Sequence, residues 1–189
     1  SLSDTAEIGI AAKYLFGAPG AGLAIEGDYR LSAAAALDAF PGYSFGPYDE
    51  PFPPAADSIG ETGTTDRNGG ATIHVALPDL GEQANRPVEA RFAVRLREGS
   101  GRPVERRITR TILPAVPIVG IRPGFAGDTV TENGQAAFDL IAVGPDGAAA
   151  DTPVRWVVNR LETNYQWYSL YGSWNWEVTT TRTRVAAGD

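Results

Sequence analysis

Apolar and polar residues alternate along most of the chain with a period of two, which is typical of β-strands that bury one face. In the segment 88–97, one face carries Val88, Ala90, Phe92, Val94 and Leu96, and the other carries Glu89, Arg91, Arg95 and Arg97. Similar alternation in the segments 23–31, 72–77 and 104–112 predicts further strands. Sheets with one apolar and one polar face build antiparallel β-sandwiches. Helical spacing is weak, and its best candidate, Leu31 to Ala39, is short.

The alternation breaks at Leu113-Pro114-Ala115-Val116-Pro117, where two prolines remove backbone donors and hold the chain extended. We place a domain boundary here, which predicts one domain over residues 1–113 and a second over residues 114–189. The expected fold class is all-β, with two tandem antiparallel β-sandwiches of the immunoglobulin or fibronectin III type. The second domain shows about five strands where a complete sandwich has about seven. We therefore expect it to be truncated at its C-terminus or unusually short.

The segment 40–54 fits neither the helical nor the strand period, and it is rich in aromatic residues and proline. Because it is too aromatic for a solvated linker, we expect a long ordered loop that lies against the first sandwich. Its aromatic side chains are candidates for an interface with a neighbouring domain: Tyr43, Phe45, Tyr48 and Phe52.

Composition and charge exclude several functions. The net charge of −7 argues against nucleic acid and anionic membrane surfaces, because both attract clustered Lys and Arg. The chain has no cysteine, which excludes disulfides, Cys-ligated zinc and thiol nucleophiles within it. No apolar run reaches the roughly 20 residues of a membrane span, so we expect no direct membrane insertion. The absence of methionine indicates a piece of a longer or processed chain, without the targeting signal of its parent.

No catalytic or metal-binding motif emerges. The Gly-rich stretch 17–22 lacks the Lys and Ser/Thr of a phosphate loop and leads into a strand, which indicates a turn. His74 is the only histidine, so we expect a surface residue rather than a metal ligand or a catalytic base. Carboxylate pairs such as Asp128 with Glu132 indicate solvated loops. Calcium at the Asp49/Glu50/Asp57 loop stays an open alternative, although no EF-hand ligand pattern supports it. We therefore expect no catalytic residue, no metal, no cofactor and no enzyme activity.

The strongest local feature is an aromatic cluster near the end of the chain. Its members are Tyr165, Trp167, Tyr168, Tyr171, Trp174 and Trp176. Tyr171-Gly172-Ser173 has the character of a hairpin turn, and aromatic pairs across that hairpin would explain the cluster without a ligand. Exposed aromatic side chains also mark interfaces and surfaces that bind sugars or peptides, so all six residues are candidate interface residues.

Two stretches carry a family resemblance. In residues 13–27, a Tyr-x-x-Gly-Ala-Pro turn precedes an apolar-x-Ile-Glu-Gly strand. A second stretch begins at Pro153-Val154-Arg155-Trp156 and continues to Trp174-Asn175-Trp176-Glu177. In sequence, order and separation, both stretches resemble adjacent macroglobulin-like domains of bacterial α2-macroglobulins. The resemblance covers most of the chain, and its motifs are structural.

The resemblance implies a non-catalytic scaffold fragment of a periplasmic protease inhibitor, commonly a lipoprotein of the inner membrane that serves bacterial defence. In such proteins a protease cuts an exposed bait segment, and the molecule rearranges around the protease. Many members then hold the protease through a Cys–Gln thioester, which this chain without cysteine does not contain. The implied partners are neighbouring domains of the parent chain and the parent's target proteases, with a periplasmic cell-wall synthase as a further candidate.

A second hypothesis stays open from the aromatic residues alone. Immunoglobulin-like modules of surface adhesins and polysaccharide-acting enzymes bind carbohydrates or peptides through exposed aromatic side chains. Saturable quenching of tryptophan fluorescence by a sugar would favour that reading over a scaffold.

Overall fold

The computed structural model of the chain describes residues 5–47, 49–79, 85–99 and 101–189. These residues form strands, turns and loops, and none of them lies in a helix. The expected all-β class is therefore confirmed. The best helical candidate is wrong, because strand β2 continues to Ala33, residues 34–37 have no regular structure and residues 38–39 form a turn. The chain divides into two compact units, Ser1–Ala150 and Asp151–Asp189.

The first unit contains nine strands among its described residues. They are β1 (Thr5–Ala11), β2 (Ala24–Ala33), β3 (Ser44–Phe45), β4 (Ala55–Thr64), β5 (Gly70–Ala76), β6 (Val88–Arg97), β7 (Val104–Ile112), β8 (Ile118–Pro123) and β9 (Phe138–Val143). Strands β4, β2, β6 and β7 form one antiparallel sheet in that order, and β1 pairs with β5 in a second sheet. Strands β3, β8 and β9 form a third sheet.

The alternating pattern determines which face of each strand is buried. Leu31 of β2 and Val88 and Ala90 of β6 are completely buried, whereas Arg30, next to Leu31, and Arg91, next to Ala90, are exposed. The main core combines the inner faces of the first two sheets. Its buried members are Ile8, Ile25, Tyr29, Leu31, Ile73, Val75, Val88, Ala90, Phe92 and Val94. Because both sheets contribute side chains to one core, the arrangement is a β-sandwich.

The Gly-rich stretch 17–22 is a turn between β1 and β2, as the sequence predicts. Thr65, which is buried, holds this turn in place. Its hydroxyl donates to the carbonyl of Gly20 at 2.6 Å and accepts from the amide of Leu23 at 2.9 Å. The stretch therefore connects two strands of the sandwich, and it does not lead into a helix that could bind a phosphate.

The segment between β2 and β4 packs on two cores, which agrees with the expected ordered loop. Phe52 packs against the main core, whereas Phe45 is buried in a second core with Ile118 and Val143. Strand β3 lies inside this segment and pairs with β8, with Phe45 opposite Gly120. The segment thus contacts residues on both sides of the expected domain boundary.

The expected boundary at residues 113/114 stays a prediction. The two compact units divide at Ala150 and Asp151, and Pro114 in the proline-rich segment is completely buried. Strands β8 and β9, which the sequence assigns to the second domain, belong to the first compact unit through β3.

The second unit is a two-stranded antiparallel ribbon. Strands β10 (Trp156–Leu170) and β11 (Ser173–Gly188) pair along their whole length, with one irregularity at Val158/Asn159. The expectation of about five strands after residue 113 is wrong, because the described residues there form four, β8 to β11. The aromatic cluster therefore spans the turn of one long hairpin, with members on both strands.

Candidate interaction surfaces

The turn of the ribbon consists of Tyr171 and Gly172, which have φ angles of +50° and +80°. Positive φ at both central residues is the geometry of a type I′ turn, whose twist matches that of the two flanking strands. The turn sets a register in which Trp167 lies opposite Trp176 and Ser169 lies opposite Trp174.

The register separates the aromatic cluster onto two faces, because side chains alternate along each strand. We call one of them the aromatic face. It carries Leu161, Tyr165, Trp167, Trp174, Trp176 and Val178. The opposite face carries Tyr168 together with polar residues that include Asn164, Gln166, Asn175 and Glu177. Five of the six predicted aromatic residues therefore lie on the aromatic face or at the turn, and Tyr168 does not.

The aromatic face is solvent-exposed. Trp174, Trp167 and Tyr165 retain 71%, 68% and 65% of their accessible surface. Tyr165 and Trp176 are neighbours across the strands, with ring centroids 6.0 Å apart and planes inclined by 41°. Cross-strand pairing therefore explains how the rings are arranged on the ribbon. It leaves a contiguous group of large aromatic rings in water, which is the usual mark of an interaction surface.

The other four predicted interface residues belong to the segment between β2 and β4. Phe45 is 4% exposed and Phe52 is half-buried, and both pack within the first unit. Tyr43 is half-buried, with the guanidinium of Arg122 lying 4.6 Å from its ring centre. Tyr48 lies outside the described residues. The described contacts of these side chains are intramolecular, and a role at an external interface stays a prediction.

A network of ion pairs covers the outer face of the four-stranded sheet. Arg95 of β6 contacts Asp28 of β2 and donates through Nε to Glu105 of β7 at 2.9 Å. Arg107 also donates to Glu105, at 2.8 Å. Hydrogen bonds from Arg95 and then Arg107 lower the pKa of the Glu105 carboxyl. The sequence predicts that these residues are polar, but their pairing depends on strand register, which the sequence does not reveal.

The residues considered for chemistry do not converge. His74 is exposed on β5, directly across from Glu7 on β1. Within the described part of the chain, no group of three or more His, Cys, Asp or Glu side chains is placed to hold a metal ion. The same residues contain no helix long and apolar enough to cross a membrane.

Two family models match the chain in tandem. Residues 1–114 match the bacterial alpha-2-macroglobulin MG5 domain, and residues 120–189 match bacterial macroglobulin domain 6. Strand β3 lies within the first match, and β9 to β11 lie within the second.

Similar proteins lead in the same direction. The chain is 29% identical to an alpha-2-macroglobulin of Xylella fastidiosa strain Temecula1 over 171 residues, which cover 89% of this chain and 10% of that protein. It is 29% identical over 187 residues to the alpha-2-macroglobulin of Escherichia coli K12, covering 87% and 11% of the two chains. The chain thus spans about a tenth of the length of these curated relatives.

Solved structures of the same class share the fold. Salmonella alpha-2-macroglobulin reacted with methylamine matches with a TM-score of 0.70 and 26% identity, over 100% of this chain and 13% of that one. Escherichia coli alpha-2-macroglobulin activated by porcine elastase matches with a TM-score of 0.58 and 25% identity, over 97% and 17%.

Fold and matches together define a pair of macroglobulin-type domains. The chain belongs to the bacterial α2-macroglobulin family. The resemblance seen in residues 13–27 and 153–177 is therefore confirmed.

Proposed function

We propose that the chain is a scaffold segment of a periplasmic protease trap, a lipoprotein inhibitor that encloses proteases in bacterial defence. The chain's membership of the α2-macroglobulin family supports this proposal. A relative that matches over most of this chain is activated by a protease, porcine elastase. In this proposal the target proteases and a periplasmic cell-wall synthase are partners of the parent, and the segment's own partners are neighbouring domains.

The aromatic face of the ribbon supports the proposal that the segment functions by packing against a neighbouring domain. A two-stranded ribbon is marginally stable alone in water. Covering its large exposed aromatic rings with another surface lowers the free energy, because the rings leave water. Tyr165, Trp167, Trp174 and Trp176 are the expected anchors, because interface energy concentrates in such residues. The covering surface is a neighbouring domain of the parent, which extends well beyond this chain.

Substitution of Trp167 and Trp176 by Ser in the parent protein tests this role. If the rings anchor a neighbouring domain, the change removes about 2 kcal/mol or more of docking free energy per anchor and weakens enclosure of the protease. The measurement is elastase activity after incubation with the parent, on a large protein substrate and on a short peptide. An enclosed protease cleaves only the peptide, and the variant is expected to restore much of the activity on the large substrate.

The matched control is Tyr168→Ser, which removes an aromatic ring from the opposite face of the same ribbon. It is expected to leave enclosure unchanged. Equal loss of enclosure in both variants would indicate general destabilisation of the ribbon. Unchanged enclosure in the double tryptophan variant would contradict the proposed packing of the aromatic face against a neighbouring domain.

The exposed aromatic face also supports the second candidate, a carbohydrate- or peptide-binding module. Sugars stack on exposed tryptophan rings, and all four tryptophans lie in the ribbon. Titration of the chain with oligosaccharides, followed by tryptophan fluorescence, separates the candidates. The scaffold role predicts no saturable quenching, whereas saturable quenching that is lost in Trp167→Ser supports the module.

A further inference from the structure

A single segment joins the first sandwich to strands β8 and β9. We call residues 34–54, apart from Tyr48, the strap; it leaves β2, forms β3 and leads into β4. We infer that the strap locks β8 and β9 onto the first sandwich, so that residues 5–47, 49–79, 85–99 and 101–143 move as one rigid body. This inference concerns the chain itself and holds whether or not the parent traps proteases.

The first contact is the ring of Phe45 against Gly120 of β8. A Cβ atom at position 120 would lie 2.6 Å from Cε1 of Phe45, so only glycine allows the ring to sit this close to the strand. Phe45 is buried with Ile118 and Val143 from the third sheet. Leu37, Phe40 and Tyr43 of the strap pack around the same three side chains. The strap and the two strands therefore share one hydrophobic core.

The second contact centres on Arg122 of β8. Its Nη2 and Nε donate to Oδ2 of Asp139 on β9, at 2.8 and 3.2 Å. The same guanidinium lies over the ring of Tyr43 in the strap, 4.6 Å from the ring centre. A planar guanidinium that is oriented by a carboxylate and covers an aromatic ring ties the two strands and the strap together.

The far end of the strap is fixed to the first sandwich. Arg86 lies just before β6 and is 8% exposed. A Cβ atom on residue 46 would lie only 2.6 Å from the Cβ of Arg86, so Gly46 packs closely against this arginine. Glu50 of the strap accepts a hydrogen bond from Asn85 at 3.2 Å and lies 3.9 Å from Arg86. Phe52 then packs against the main core.

Two connections consequently join the first sandwich to β8 and β9. One is the covalent segment 113–117, in which Pro114 is buried, and the other is the strap. A single extended linker allows rotation, whereas a second, packed connection at a distance from it removes that freedom. The strap therefore makes the proline-rich segment a rigid joint, although its composition is that of a linker.

Distance measurements on the intact chain test the inference. The chain has no cysteine, so His74→Cys on β5 and Leu140→Cys on β9 allow two spin labels to be attached at exposed sites. We expect a narrow distribution of distances between the labels. Gly120→Ala displaces Phe45 and is expected to broaden this distribution. It should also speed amide exchange in β3 and β8 together, on the order of tenfold.

The matched control is Gly9→Ala in β1, a strand glycine where an added Cβ meets no atom within 4 Å. It is expected to change neither readout. Gly120→Ala made in a Phe45→Ala background should add little, because the ring that clashes is gone. A broad distance distribution in the unmodified chain, or additive effects of the two substitutions, would overturn the inference.

A milder pair covers the case in which Gly120→Ala does not fold. Arg122→Gln removes only the contact with Tyr43 and the ion pair with Asp139, and it is expected to speed exchange in β3 and β8 several-fold. Arg155→Gln removes an exposed ion pair with Asp189 in the second unit and is its control. Equal rates of amide exchange in β3 for both variants would contradict the inference that the strap holds β8 and β9 on the first sandwich.

Discussion

Glu105 illustrates how strand register turns an ordinary surface carboxylate into a shared partner. It accepts hydrogen bonds from Arg95 on the neighbouring strand and from Arg107 on its own strand. These bonds favour the charged carboxylate and place its pKa below the ordinary value of 4.5. A lowered pKa means that Glu105 stabilises the folded chain above about pH 4.5, and that this contribution disappears as pH falls through the folded-state pKa.

Glu105→Gln is expected to lower the urea midpoint of the first unit at pH 7 by a small amount, because the network is solvent-exposed. The difference from the unmodified chain should vanish at a pH below the folded-state pKa of Glu105, where the carboxyl is itself neutral. Circular dichroism in urea at both pH values provides the measurement. Glu132→Gln is the control, because no ion pair of Glu132 occurs in the described part of the chain, and it should leave the urea midpoint at pH 7 unchanged.

At the scale of the elements, edge strand β7 shows how the four-stranded sheet avoids pairing with other chains. Arg106 and Arg110 lie opposite Val94 and Ala90, so they occupy the inner, apolar face of the sheet, yet both are exposed. Charged residues on the inner face of an edge strand make the addition of a further strand unfavourable. The arginines of β7 therefore disfavour pairing of this edge with a strand from another chain.

The ribbon turn allows a sharper test. Tyr171 has φ of +50°, where L-residues other than Asn and Asp are strained, and its side chain is 99% exposed. Tyr171→Asn should stabilise the turn by roughly 1 kcal/mol, because Asn tolerates this conformation and no packing is lost. Exchange of the amide of Ser173, which pairs with Leu170 across the turn, should slow about fivefold.

Tyr168→Asn makes the same chemical change in the extended part of β10 and serves as the control for the turn. It should not slow exchange. Faster exchange at Ser173 in Tyr171→Asn would mean that the tyrosine ring stabilises the turn through a contact of its own.

For the whole molecule, local pattern was enough to predict most strands but not which strand edges meet. The alternation in β6 and β7 is visible in the sequence because each strand is long and faces one core. Strand β3 has two residues and thus no period, and its pairing with β8 joins segments far apart in the chain. The burial of Phe45 follows from that pairing, which is why the sequence suggests an exposed interface residue instead.

The candidate site was predictable to a similar extent. The aromatic cluster and its hairpin turn are evident from residues 165–176. The opposite orientation of Tyr168 depends on the extent of β10 and on the position of the turn. The roles of Arg86, Gly120 and Arg122 depend on which residues lie close together in the fold, and no sequence motif predicts them.

The position of the four tryptophans has a practical consequence. All of them lie between Trp156 and Trp176, so the first compact unit contains none. Intrinsic tryptophan emission is therefore a built-in reporter of the ribbon, whereas tyrosine and phenylalanine are the chromophores of the sandwich. A shift of that emission to the blue when another domain of the parent is added would show the rings leaving water, without any label.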